Sequence, residues 1–454
     1  VGQPHHALGQ LMRSFYEDPI DVYLPQNGNR GYRVSRYELE LSYKPASNRL
    51  AGRAVIIAVT TEVRSSFTLD LSPALGVSKV FVNGSKSVKF SHQRSKLALT
   101  PQQKIPAGGV LEIAVHYSGT PKPVRGPWGE VGWEELTEGS LVASQPNGAA
   151  SWFPCDDHPS SKASYRISIT TDSPYYALAN GTLMRKQAKA SQTTWVYEAP
   201  EPMASYLATI QIGNYRKYRV GSPGEPVPMQ AIVPPRLRTN FEHDFARQPQ
   251  MMALFTEKFG PYPFENYSVV VTDDDLDIPI EAQGISIFGA NHCDGRRGAE
   301  RLVAHELAHQ WFGNSLTLRQ WRDIWLHEGF ACYAEWLWSE ASGGPGADQL
   351  ARAAHANLAR QPQDIIVGDP GPADMFDDRV YKRGALTLHA LRLELRDHLF
   401  FQLIREWTAR YRHSSATTED FVDLAGHYSV APLRGLFAVW LGTKPLPQLP
   451  QNTK

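Results

Sequence analysis

Cysteine is scarce in this chain: Cys155, Cys293 and Cys332 are the only three among 454 residues. An odd, sparse set excludes a disulfide-stapled scaffold and fits a reducing compartment better. Net charge is absent as well, because 46 Lys plus Arg balance 46 Asp plus Glu. No global field therefore argues for nucleic acid or for an anionic membrane as a partner. No apolar run approaches the roughly 18 residues needed to cross a bilayer. The N-terminus, Val1-Gly2-Gln3-Pro4-His5-His6, has neither the basic region nor the apolar core of a signal peptide. A cytoplasmic location is the expectation, although the missing initiator Met leaves room for a segment cut away upstream.

What is present is an ordinary globular balance, 42% apolar and 20% charged residues. The length predicts two to three domains. Up to about residue 213 the pattern has the period of β-structure. Tyr37, Leu39, Leu41 and Tyr43 alternate with Glu38, Glu40 and Ser42. Val80 to Val82, Asn83-Gly84, then Val88 and Phe90 predict a hairpin with a tight turn. Repeated short strands predict an antiparallel all-β domain over residues 1–212. The Pro-rich stretch Ser222 to Pro235 marks a boundary zone. From residue 213 to 454 the pattern becomes α+β. Helices are predicted over Glu300–Phe312, Glu328–Trp338 and Ala385–Arg396, a strand over Tyr267–Thr272, and an edge strand over Gly284–Phe288. Three glycosylation-like triplets begin at Asn83, Asn180 and Asn266, and the first two read more simply as turns.

His305-Glu306-Leu307-Ala308-His309 fits the H-E-x-x-H pattern. Residues four apart share one face of a helix, so both imidazoles can address a single ion. Glu306 is placed to reach a metal-bound water without ligating the metal. A catalytic zinc needs a third protein ligand and one open position. Glu328, within Trp325-Leu326-His327-Glu328-Gly329-Phe330-Ala331, lies far enough along for a second helix to return its carboxylate. The five-residue pattern arises by chance in roughly one chain in forty of this length, and with a Glu at one fixed later position in about one in a thousand. A closed structural zinc site would use four Cys or His ligands, and no Cys here has suitable spacing.

These motifs resemble those of the M1 family of zinc aminopeptidases, the gluzincins that include aminopeptidase N and leukotriene A4 hydrolase. His305 to Asn314 and Trp325 to Ala331 are similar to its zinc signature, with His327 where an Asn usually precedes the third ligand. Trp152 to Pro159 resembles the motif closing the family's N-terminal domain, and Tyr206 to Gly213 its last strand. Val380 to Ala385 resembles the segment bearing a catalytic tyrosine, here Tyr381. The resemblance implies a multidomain fold, an all-β saddle-like N-terminal domain followed by an α+β thermolysin-like catalytic domain. It implies one Zn2+ per chain on His305, His309 and Glu328, peptide substrates, and a short form without the family's helical C-terminal domain. A monomer is expected.

Two departures stand out. The family's G-x-M-E-N substrate motif keeps only its Glu, as Glu281, within Ile278 to Ala282. The Gln-x-Glu segment reads Gln145-Pro146-Asn147, so Gln145 stays while a second carboxylate is lost. Glu306 is expected to be the general base and Tyr381 the donor to the oxyanion. Glu281 would anchor a free ammonium, Gln145 would assist, and Gly284 would let substrate backbone approach the edge strand. Asp323 and Glu335 are candidates to orient the imidazoles. The Asp273–Asp277 cluster reads as surface loop, and the nearby tryptophans as packing. The competing readings are an endopeptidase or small-amide hydrolase, and an idle peptide-binding module.

Overall fold

The computed structural model describes residues 20–451, so the N-terminal hexapeptide read above lies outside the described residues. The first half is built on a seven-stranded sheet. Its spatial order is Thr182–Lys189, Gln192–Ala204, Lys162–Asp172, Tyr32–Lys44, Arg49–Thr60, Val110–Gly119 and Leu75–Val82. Tyr37, Leu39, Leu41 and Tyr43 all point into the core, as their alternation requires. The pairing is not purely antiparallel, however. Tyr32–Lys44 runs parallel to Lys162–Asp172, with Leu39 opposite Ile167, because a long connection returns the chain to the sheet's centre.

A five-stranded and a three-stranded sheet complete this half. Between the layers, Tyr37 stacks on Tyr165 at 4.8 Å, and Phe153 meets both rings edge-on. Burying one such side chain is worth roughly 1.5–3 kcal/mol. The expected hairpin after Val82 is only a turn. Asn83 and Gly84 both take positive φ and close one Val82–Ser85 pair, but Val88–Gln93 then leaves to pair with Lys96–Pro101 in the three-stranded sheet. The turn chemistry was readable, whereas the strand partner depends on tertiary packing.

After Gly213 the chain enters another sheet, ordered Arg216–Val220, Met229–Val233, Tyr267–Val271, Ile285–Phe288 and Ile280–Ala282. Two corrections follow. The Pro-rich stretch from Ser222 is no boundary, because it connects the first two strands of this sheet and runs into the second. Ile285–Phe288 is not the edge either, since Ile280–Ala282 pairs outside it. The edge strand is thus the one that carries Glu281.

Three of the helices described in this half frame the site: Glu300–Ala308, Trp325–Ala341 and Asp378–Arg410, the last interrupted at Arg396 by a non-helical φ of 65°. Phe312, Phe330, Trp325 and Phe421 pack ring on ring between them. The two halves are tied by buried polar contacts. Lys162 donates to the carbonyls of Asn314, Ser315 and Ser414 and to Thr317 Oγ1. Asn180 is buried and donates to the carbonyls of Leu207 and Gln283, so its triplet serves packing. All three cysteines are buried and unpaired. Among the described residues no helix is long and apolar enough to cross a membrane.

Candidate metal centre

His305 and His309 sit on consecutive turns of Glu300–Ala308, whose last turn is capped by His309 itself, φ −58° and ψ −22°. The chain then bends away at Gly313, where φ is +125°. A Cβ there would strain the backbone and stand 3.4 Å from Nδ1 of both His309 and His327. The next helix places Glu328 in its first turn. It crosses Asp378–Arg410 where Gly329 meets Gly384, and a Cβ on Gly329 would lie 2.9 Å from the Gly384 Cα. That close approach sets Tyr381, one turn before Gly384, beside the His305 ring at 6.2 Å between centroids.

Each imidazole is fixed by its Nδ1. His305 Nδ1 lies 2.7 Å from Glu335 Oε1, and His309 Nδ1 donates to the Phe312 carbonyl at 3.0 Å. With protons on Nδ1, both Nε2 atoms present lone pairs. They stand 3.2 Å and 3.3 Å from Glu328 Oε2. Corners of a tetrahedron around an ion bonded at about 2.0–2.1 Å are about 3.3 Å apart, so this donor set fits zinc. The chemistry of the set agrees: two neutral nitrogens and one carboxylate, all at least nine-tenths buried.

The local field also favours positive charge at this centre, carried either by a proton on an imidazole or by a metal ion in that proton's place. Burial opposes charge on His305, but Glu328 and Glu335 outweigh it and hold its pKa well above the imidazole range. Burial likewise opposes charge on His309, and Glu281 and Glu328 still raise it to about 9. Glu306 is buried, with Oε2 lacking any protein partner, and burial together with the nearby carboxylates pushes it up to about 8. Burial and the charges of Glu328, Glu281 and Glu306 push Tyr381 far above its ordinary range, so it keeps its proton and remains a donor.

Glu281 is buried, and its Oε1 accepts from Gln145 Nε2 at 2.6 Å. Ligand atoms of Glu281, Glu306 and His309 lie within 4.8 Å of one another. Seven of the eight residues singled out from the sequence are therefore brought together around one point, and the eighth, Gly284, adjoins them with a different part. Its φ of +73° makes the turn after Glu281, its N–H is taken by Gln310 Oε1, and its carbonyl by Ser268 N. No backbone group of Gly284 is left for substrate. Asp323 is a second correction: it accepts from Thr418, not from a metal-site imidazole. Asn147 turns to Asn27. Asp273 pairs with Arg236, and Asp274 accepts from Thr137.

Sequence reasoning missed Arg301, which donates to the other oxygen of Glu335, and the pair Gln310 and Asn314. Arg301, four residues before His305, was findable by helical spacing. His327 proves to be a buried neutral acceptor for Leu318 N–H, its pKa pulled down to about 3 by burial and by His309.

Residues 34–207 match the Peptidase M1 N-terminal domain and residues 243–440 the Peptidase family M1 domain. The chain belongs to the M1 peptidase family. Its fold, a β-rich N-terminal part followed by an α+β catalytic domain, is that of M1 zinc metallopeptidase from Deinococcus radiodurans, at TM-score 0.87 and 28% identity over 96% of this chain and 99% of that one. A mutant of the Deinococcus protein bound to a Tyr-Ser-Ala substrate superposes equally well, at 0.87 and 28% over 95% and 99%. A leucyl aminopeptidase of Saccharolobus solfataricus is 24% identical over 91% of this chain and 54% of its own length. Aminopeptidase M1-B of Oryza sativa is 27% identical over 63% of this chain and 35% of its own length. This M1 chain thus spans between about a third and half of these two curated relatives.

Proposed function

We propose that this M1 chain is a zinc aminopeptidase that removes N-terminal residues from peptides, with one Zn2+ per chain on His305, His309 and Glu328. The proposal treats residues 1–212 and 213–454 as its two domains. The observation that carries the exopeptidase reading is Glu281, a buried carboxylate oriented by Gln145 and within reach of His309 and Glu306. The peptide bound to the Deinococcus neighbour and the aminopeptidase names of the curated relatives support it.

The bound zinc would supply a positive charge that polarises a carbonyl and lowers the pKa of water to about 7. The chain's own groups do the rest. Glu281 accepts charge-assisted hydrogen bonds from the substrate ammonium, which fixes how far the chain end reaches past the centre. Glu306, whose buried Oε2 has no protein partner, takes a proton from the attacking water and passes it to the leaving amine. Tyr381 donates its phenolic hydrogen to the oxygen that gains charge. Glu335 holds His305 in the Nδ1–H form.

The test compares a fluorogenic amino-acid amide with its N-acetyl form, with and without chelator. Turnover of the free amine alone, abolished by chelation and restored by Zn2+, is expected. Equal turnover of both forms would instead establish an endopeptidase or small-amide hydrolase. No chelator-sensitive hydrolysis of either form, or of a broad peptide panel, would leave a peptide-binding module.

A further inference from the structure

The turn that follows Glu281 is bound on every side. The Ala282 carbonyl accepts from Gln310 Nε2 at 3.2 Å and from Asn314 Nδ2 at 2.9 Å. Gly284 N–H donates to Gln310 Oε1 at 2.8 Å, and Asn314 Nδ2 also donates to that oxygen at 3.1 Å. Gln283 N–H donates to the Leu207 carbonyl at 3.3 Å, and the Gln283 carbonyl accepts from Asn180 at 2.9 Å. Gln310 and Asn314 are fully buried. They lie one and five residues beyond His309, on the segment that leaves the metal centre.

Only a primary amide of this length can serve here. Gln310 must donate to a carbonyl and accept from an N–H two residues further along, which fixes its orientation and excludes a carboxylate or an apolar side chain. Glu281 rides on a three-residue edge strand, an element that by itself has little to hold it. Its distance from the metal ligands therefore depends on what ties its turn to His309.

We infer that Gln310, with Asn314, is a positioning residue for amine recognition: it locks the Glu281 strand to the metal-ligand segment and so sets the discrimination between free and blocked N-termini. The inference rests on the reading of Glu281 as the ammonium anchor. Gln310 touches neither substrate nor metal in this role and acts through Glu281. A shift of the anchor by about 1 Å is enough to cost on the order of a hundredfold in a positioned reaction.

The experiment uses the full chain with Gln310→Met, Asn314→Ala, Glu281→Gln and the double variant Gln310→Met/Glu281→Gln, each normalised to bound zinc. The readouts are KM and kcat for an amino-acid anilide, and the ratio of inhibition constants for an amino-acid amide and its N-acetyl form. That ratio is a property of the active molecules, so a partly folded preparation still reports it. Gln310→Met is expected to raise KM at least about tenfold with kcat changed less than about threefold, and to reduce the inhibition ratio by a similar factor. Asn314→Ala should do the same to a smaller degree. Adding Gln310→Met to Glu281→Gln should change the ratio no further. A ratio within about twofold of wild type in both amide variants, alongside its collapse in Glu281→Gln, overturns this inference alone. An unchanged ratio in Glu281→Gln overturns the anchor reading itself.

Discussion

Glu335 places one carboxylate oxygen 2.7 Å from His305 Nδ1 while its other oxygen accepts from Arg301 at 2.9 Å. The buried acid thus links a solvent-facing guanidinium to an imidazole of the proposed zinc site, and it is held ionised against its burial by His305 and then Arg301.

Glu335→Gln should weaken zinc binding by about 10- to 100-fold, because the ring loses the acceptor that fixes its tautomer and raises its basicity. Competition with a chelator of known affinity measures this. Unchanged affinity would show that the Phe312 and Glu328 contacts suffice. Arg301→Met should have a smaller effect in the same direction, since Arg301 is more than half exposed.

Glu306→Gln should retain zinc and lower kcat by roughly 10²- to 10⁴-fold, the usual contribution of a positioned acid–base group. Zinc content by elemental analysis, read with the rate, separates loss of the base from loss of the ion. A wild-type rate in this variant would remove Glu306 from the mechanism.

Tyr381→Phe deletes one hydroxyl from a ring packed beside His305. Its kcat should fall about 10²- to 10³-fold with KM little altered, as for loss of one oxyanion donor. Steady-state kinetics on one amide substrate decide it, and a change confined to KM would assign Tyr381 to binding instead.

Acid–base behaviour of the N-terminal half is testable through Asp156 and Asp157. Burial, then the neighbouring Asp70, raises Asp156 to about 6 and Asp157 to about 7. Their protonated forms are favoured in the folded chain. Their contribution to stability is therefore complete below the ordinary Asp range near 4 and is lost as pH rises through 6 to 7. The thermal midpoint of Asp157→Asn should fall less between pH 5 and 8 than that of wild type. Parallel curves for the two proteins would contradict the assignment.

How much of this was legible beforehand depends on the range of the physics involved. Helical spacing puts His305 and His309 on one face whatever surrounds them, and Glu306 next to them. Alternation at Tyr37 to Tyr43 dictates a half-buried strand in the same local way. The Asn83-Gly84 turn was readable, but the strand that follows it pairs elsewhere, because strand partners are chosen by distant apolar faces. Gly284 shows the same limit. Its sequence position beside Glu281 suggested close approach of substrate, whereas its φ and its two occupied backbone groups show a turn residue.

The sequence alone therefore determined which chemical groups are available, two imidazoles, three carboxylates and a phenol, and the periods that make their local elements. Only the tertiary structure decided how those groups meet. Glu328 reaches the imidazoles from a second helix, Tyr381 arrives through the Gly329–Gly384 crossing, and the strand of Glu281 is held at the Ala282 carbonyl by amides 28 and 32 residues further on. Those placements rest on close packing and on the need of every buried polar group for a partner, and neither requirement is written in the spacing of residues along the chain.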